Sequence, residues 1–222
     1  MSGKLIVLEG TDGSGKSTQF RLACQALNAR DTAYRTMVFP RYKEESSALV
    51  RLYLSGAFGS HPSDVNAYAA STFYAVDRYA GYKQDWGRDY EGGALMLSDR
   101  YTTSNAVHQA SKLPPEGREE FFRWLADFEY GRLGLPEPDL VLWLDMPTDL
   151  AVANLRQREA ATHTSADIHE TDVDYLARCR SAARQAAAFY GWQPIACADE
   201  TGALRDTQAI HRDIMAQIEK LL

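Results

Sequence analysis

Cysteine is scarce: Cys24, Cys179 and Cys197 are far apart, odd in number and without metal-ligand spacing. Such a set neither staples a small secreted scaffold nor builds a zinc site, and points to reduced thiols in a cytoplasmic protein. No apolar run approaches about 18 residues, so no membrane span is expected. The first strand begins by Leu5, which leaves no room for a signal peptide. Positive charge is in the minority: 24 Lys and Arg against 30 Asp and Glu give a net charge of -6. A nucleic-acid coat needs the opposite balance, whereas a small anionic substrate needs only a few local arginines. Internal repeats and low-complexity linkers are absent. The 222 residues, 45% hydrophobic and 24% charged, therefore suit one soluble domain over 1–222 with a full core.

What is present is an alternation. Short apolar runs at 4–9, 35–39, 94–98, 139–144 and 192–197 are separated by helical patterns. That order predicts an α/β fold: about five parallel strands flanked by helices on both faces, in three layers. Ligands in such sheets sit beyond the C-terminal strand ends, so function is sought in the residues that follow each strand.

After the first strand stands Gly10-Thr11-Asp12-Gly13-Ser14-Gly15-Lys16-Ser17, which fits G-x-x-x-x-G-K-[ST]. Phe20, Ala23, Cys24 and Leu27 then mark one face of a helix. The glycines turn backbone N–H groups toward phosphate oxygens and the helix N-terminus adds positive potential. Lys16 is placed to reach the β- and γ-phosphates of a nucleoside triphosphate, and Ser17 to ligate magnesium. Gly10, Gly13, Ser14, Gly15, Lys16, Ser17 and Thr18 form the expected triphosphate cradle.

The later segments carry weaker signals. Phe39-Pro40-Arg41-Tyr42 follows the second strand, with Arg41 either near the phosphates or a solvated turn residue. A helix from about Asp64 to Tyr82 shows an expected core stripe of Val65, Tyr68, Ala69, Thr72, Phe73 and Val76. Tyr74 and Arg78 fall off that stripe, four apart, as an aromatic and a guanidinium able to grip a nucleoside monophosphate, or as a plain surface pair. Asp99-Arg100-Tyr101 ends the third strand: Asp99 can hold magnesium or cap a helix, and Arg100 can bridge two phosphoryl groups. Asn105 offers one donor and one acceptor to a pyrimidine edge, or is a surface residue. Phe121, Phe122, Trp124, Leu125, Phe128 and Tyr130 make a stripe that suits a dimer interface or a core. Arg156 and Arg158 precede the polar stretch 159–172, which looks like a lid. The loop 198–202 is placed to flank an adenine, and a helix with Ile210, Ile214, Ile218 and Leu221 on one side closes the core.

Taken together these segments resemble thymidylate kinases over nearly the whole chain. Leu8 through Asp12 with the glycine loop, Phe39 through Tyr42, Tyr74 through Arg78, Asp99 through Tyr101 with Asn105, and Pro138 through Asp145 carry the likeness. The resemblance implies ATP- and Mg2+-dependent phosphorylation of dTMP to dTDP by a homodimer, on the way to dTTP. By the same resemblance Lys16, Arg100, Asp12, Arg156 and Arg158 are the catalytic set, and Ser17 and Asp99 the metal-side residues. Arg41 and Arg78 fall near the dTMP phosphate, Tyr74 on thymine, and Asn105 on the base edge. Phe39, Pro40, Tyr42 and Ser104 complete the acceptor site, and His108 lies near the deoxyribose where some relatives have Tyr. Relatives commonly have Phe at the stacking position, and carry a catalytic Arg in the glycine loop or the lid. Here the loop position is Gly13, which leaves Arg156 and Arg158 at the lid's leading edge.

Other readings make different demands. A deoxynucleoside kinase needs a carboxylate base beside a sugar hydroxyl. Kinases of dUMP, UMP or CMP differ only in the base pocket. A GTP-dependent switch needs Asn-Lys-x-Asp or Thr-Lys-x-Asp, and neither occurs. A non-catalytic nucleotide-binding subunit has no need of Lys16, Ser17 and Asp99 together.

Overall fold

The structure, a computed structural model, describes residues 2–59, 61–162 and 173–222. Five strands, β1 (Lys4–Glu9), β2 (Arg35–Val38), β3 (Leu95–Asp99), β4 (Leu140–Asp145) and β5 (Gln193–Ala196), form one parallel sheet in the order β2-β3-β1-β4-β5. Each lies within a residue of its apolar run. Leu5 through Leu8 of the central β1 are fully buried, as expected of a strand covered on both faces. Register places Leu8 beside Asp99 and Val38 also beside Asp99, so the chain leaves β1, β2 and β3 side by side along one rim.

In chain order the helices are α1 (Lys16–Asn28), α2 (Ala48–Leu54), α3 (Ala67–Gly81), α4 (Gly87–Glu91), α5 (Arg118–Ala126), α6 (Thr148–Thr162), α7 (Val173–Tyr190) and α8 (Thr207–Leu221). One core layer joins Ile6, Leu8, Leu97 and Leu142 to α1 and α8; the other joins Leu5, Val7, Met96 and Trp143 to α5 and α7. On α8, Ile210, Ile214 and Ile218 are buried as their spacing predicts, and Asp206 caps the helix by accepting from the Gln208 and Ala209 amides.

One expectation needs correction, and one open alternative is decided. On α3 the inward face is the opposite one: Ala67, Ala70, Ser71, Ala75, Asp77 and Arg78 are buried, while Tyr68 and Val76 are exposed. The alanines let the helix pack closely, and the two charges are taken inside because each has a partner there. Periodicity of apolar residues cannot register that. On α5, Phe121, Phe122 and Leu125 are core residues packed toward α7, so the aromatic stripe is mainly a core stripe. Trp124 and Phe128 remain half-buried and stack on each other with centroids 5.2 Å apart. Of the expected lid, residues up to 162 continue α6, and 163–172 lie outside the described residues.

Candidate active site

β1 runs straight into the glycine loop, and Gly15, at φ 79°, is the residue from which α1 starts. No side chain caps α1 and its first turn holds no acid, so its N–H groups are left for an anion. Gly13 has φ 78°, and a Cβ there would lie 2.3 Å from the Ala151 carbonyl oxygen of α6. No side chain, arginine included, fits at this point of the loop. Asn154 of α6 donates to the Gly13 carbonyl at 2.8 Å and braces the loop from the same side. Lys16 is buried in an ion pair with Asp99. Burial and the Arg100 charge lower its pKa, and Asp99 offsets only part of this.

A cavity of about 770 Å3 covers the loop, reaching Ser17, Thr18, Arg158, Leu204 and Arg205. Of the expected cradle, Gly10 alone stands back from it, its N–H held by Glu9 at 2.9 Å. A second cavity of about 260 Å3 is lined by Tyr74, Arg78, Ser104, Asn105, His108 and their neighbours. The two share Asp12, Phe39, Pro40, Tyr42 and Arg100 as common wall.

Arg100 is the hinge of this arrangement. Its backbone is left-handed at φ 66°, a strained state for a non-glycine residue, and its N–H donates to the Leu8 carbonyl. Its guanidinium donates to Asp12 at 2.8 Å and to His108 Nε2 at 2.8 Å, with Glu9 at 3.7 Å. Because a guanidinium only donates, His108 Nε2 accepts, which puts the imidazole proton on Nδ1, 2.9 Å from the Tyr175 hydroxyl. Burial works against the charges on both Arg100 and Asp12, but their attraction wins: the arginine is shifted up, and Arg100, with Lys16, holds the Asp12 carboxyl below its ordinary value.

Arg78 lies away from this centre. It is 2% exposed and donates twice to Glu129, at 2.6 and 2.5 Å, and once to the Tyr101 carbonyl. Asn105 Nδ2 donates to Glu129 Oε1 at 3.1 Å and to the Ser71 carbonyl at 3.2 Å. Both partners can only accept, so the amide orientation is set and its oxygen is left for the cavity. Arg41 lines neither of the two cavities; its side chain donates to Asp77 at 3.2 Å and Ser46 at 2.8 Å, toward the β2 edge. Of the two arginines on α6, Arg158 lines the larger cavity and acts on Asp12, whereas Arg156 is exposed outside both cavities. The loop 198–202 folds on itself through Asp199, and Leu204 and Arg205 stand at the cavity instead.

A profile of the family described as Thymidylate kinase matches residues 8–205. The chain belongs to the thymidylate kinase family. It is similar to the thymidylate kinase of Mycobacterium tuberculosis (strain CDC 1551 / Oshkosh), 32% identical over 85% of this chain and 87% of that one. It is similar also to the human thymidylate kinase, 32% identical over 72% of this chain and 68% of that one. A probable thymidylate kinase of Thermococcus kodakarensis is 26% identical over 98% of both chains. This is therefore a kinase, a phosphotransferase.

For a kinase of this family the sequence reading passed over several wall residues. Glu9, fully buried, accepts from the Gly10 amide and from the hydroxyls of Thr103 (2.6 Å) and Ser104 (2.7 Å), which ties the glycine loop to the wall of the smaller cavity. A carboxylate closing the apolar run of β1 was the available signal. Glu129, the partner of Arg78 and Asn105, was masked by the aromatics around it, and Tyr53, Lys112 and Tyr175 carried no local mark at all.

Proposed function

We propose that this kinase transfers the γ-phosphoryl group of ATP to dTMP, giving dTDP and ADP. One observation carries the reading: a triphosphate cradle and a nucleotide-sized cavity meet at a wall of Asp12 and Arg100. The shared wall is where two phosphates would abut, so the acceptor's base lies at the other end, beside Tyr74 and Asn105. The Asn105 oxygen accepts from N3–H of thymine or uracil and opposes the lone pair of cytosine N3. Arg78, paired with Glu129, belongs to this base end, which revises the expectation of a phosphate ligand.

An oxygen of the acceptor phosphate forms the new bond to Pγ as the bond from Pγ to the β,γ-bridging oxygen breaks, and ADP leaves with that electron pair. The attacking oxygen is already anionic, so no general base is required. Arg100 holds the two phosphates in line, and Asp12 fixes Arg100. Lys16 meets the β- and γ-oxygens, and Arg158 brings a further cation from α6, where Gly13 has no room for one.

The metal side fits magnesium. Among the described residues no group of three or more His, Cys, Asp or Glu is assembled for an ion. Ser17, exposed in the cavity, and Asp99 supply one or two oxygens, with phosphate and water left to complete the shell, as this ion prefers. When bound it neutralises charge on the transferred group.

A sugar-hydroxyl acceptor is disfavoured because Asp12, held below its ordinary pKa by Arg100, is a poor base. We further propose a homodimer seated on the outer stripe of α3, where Tyr68, Thr72, Val76 and Tyr79 recur at helical spacing and Tyr68 meets Trp124 at 4.7 Å. Three free thiols suit a cytoplasmic enzyme, and among the described residues no helix is long and apolar enough to cross a membrane.

The test is a steady-state panel with ATP and magnesium over dTMP, dUMP, UMP, dCMP and thymidine. dTMP is expected to have the highest kcat/KM and thymidine none that is measurable. An enzyme that ignores dTMP overturns the reading.

A further inference from the structure

Arg100 has to keep both its aim and its charge if it bridges two phosphates, and its anchors are of two kinds. Two carboxylates lie beside the guanidinium: Asp12 accepts from Nη2 at 2.8 Å, and Glu9, already engaged by Gly10, Thr103 and Ser104, is 3.7 Å from Nη1. The other anchor carries no charge. Nη1 donates to His108 Nε2 at 2.8 Å, so the imidazole is neutral with its proton on Nδ1, which faces the Tyr175 hydroxyl at 2.9 Å and the Cys179 sulfur at 3.7 Å. Tyr175 also stacks on the imidazole, with centroids 6.2 Å apart and planes 27° from parallel. His108 sits in a single π-helical turn, Asn105–Gln109, a local widening common at functional sites. Among the described residues the Arg100 side chain makes these two hydrogen bonds, which leaves three of its five N–H donors for phosphate oxygens.

We propose that His108 is a positioning residue for phosphoryl transfer: as a neutral acceptor it aims Arg100 at the junction of the two phosphates. A further carboxylate in its place would also fix the guanidinium, but it would add negative charge where two polyanions have to meet. An imidazole lone pair orients the arginine and leaves its charge to the phosphates. The contacts of Nδ1 with α7 hold the tautomer, since a proton on Nε2 would point at an Arg100 N–H. The other titratable or charged groups around the same cavity, among the described residues, are Asp12, Tyr42, Tyr53, Tyr74, Arg78 and Lys112. A second proton on the imidazole removes the acceptor and sets two cations against each other, so Arg100 loses this anchor and turnover falls in acid. The inference rests on the placing of Arg100 between phosphates in the dTMP reading.

Wild type, His108→Phe, which keeps a ring without an acceptor, and His108→Gln, which keeps an acceptor that does not titrate, are compared on dTMP with ATP and magnesium. Melting curves check folding, and His108→Leu replaces His108→Phe should that variant not fold. His108→Phe is expected to lower kcat at least about tenfold, the order of one hydrogen bond to a charged group, with KM for dTMP within about threefold of wild type. His108→Gln is expected to be at least about threefold faster than His108→Phe. Between about pH 8 and about pH 5.5, kcat of wild type is expected to fall more steeply than that of His108→Gln, which retains only the limb due to protonation of the acceptor phosphate. A smaller loss of kcat in the Phe variant, a loss carried by KM instead, no rescue by Gln, or parallel pH profiles overturns the inference and leaves dTMP kinase activity standing. A wild type inactive on dTMP overturns both.

Discussion

Arg156 and Arg158 are two residues apart on α6, yet only Arg158 faces the donor cavity. The cation role proposed for Arg158 answers to the loop itself, where the backbone of Ala151 leaves no volume for a side chain at Gly13. Arg158→Ala is expected to lower kcat at least ~10-fold, and Arg156→Ala to have the smaller effect; the reverse order in single-turnover assays would move the role to Arg156. Asp12 makes a second case. Its carboxyl is held below the ordinary 3.8 by Arg100 and its neighbours despite burial, so the charged form is favoured in the folded state. The linked stability is present above pH 3.8 and is lost as pH falls through the lower folded value. Urea midpoints of wild type and Asp12→Asn should therefore differ most near neutral pH and converge in acid. A gap that stays constant contradicts the pairing with Arg100.

At the scale of elements, α3 divides its work between two faces. The inner face sends Asp77 to Arg41 and Ser46, and Arg78 to Glu129, so its charges fix the chain after β2 and the base end of the cavity. The outer face is apolar and exposed, with Val76 49% and Tyr79 39% accessible. A helix buried on its charged side and open on its apolar side is the surface that the homodimer proposed above would cover. Val76→Glu should leave the melting temperature of the monomer nearly intact, because the residue touches little within its own chain. It should raise the dimer dissociation constant at least ~10-fold, read by sedimentation velocity. A variant that sediments as wild type would remove α3 from the interface. Glu9 works on the same scale, since one carboxylate at the end of β1 holds the glycine loop and the start of the acceptor wall in a common frame.

For the molecule as a whole, the two cavities share a wall but are built differently. The smaller is lined largely by side chains such as Arg78 and Asn105 that are held by partners within the chain, whereas the larger is lined by the backbone of the glycine loop, Lys16 and the Ser17 hydroxyl. With EDTA present, phosphoryl transfer should stop while dTMP still raises the melting temperature; loss of that shift would mean the acceptor site also depends on the metal. The sequence alone determined the strand alternation, the triphosphate loop and most of the residues that line both cavities. These follow from rules that act over a few neighbouring residues: apolar runs, positive φ at glycine, capping. Which face of α3 turns inward, where Arg78 sits and what Lys112 faces were decided only by the tertiary structure. The partner of Arg78 is 51 residues away and that of Lys112 59, and a buried charge is stable only where such a partner is delivered, so no local pattern of hydrophobicity could have placed them.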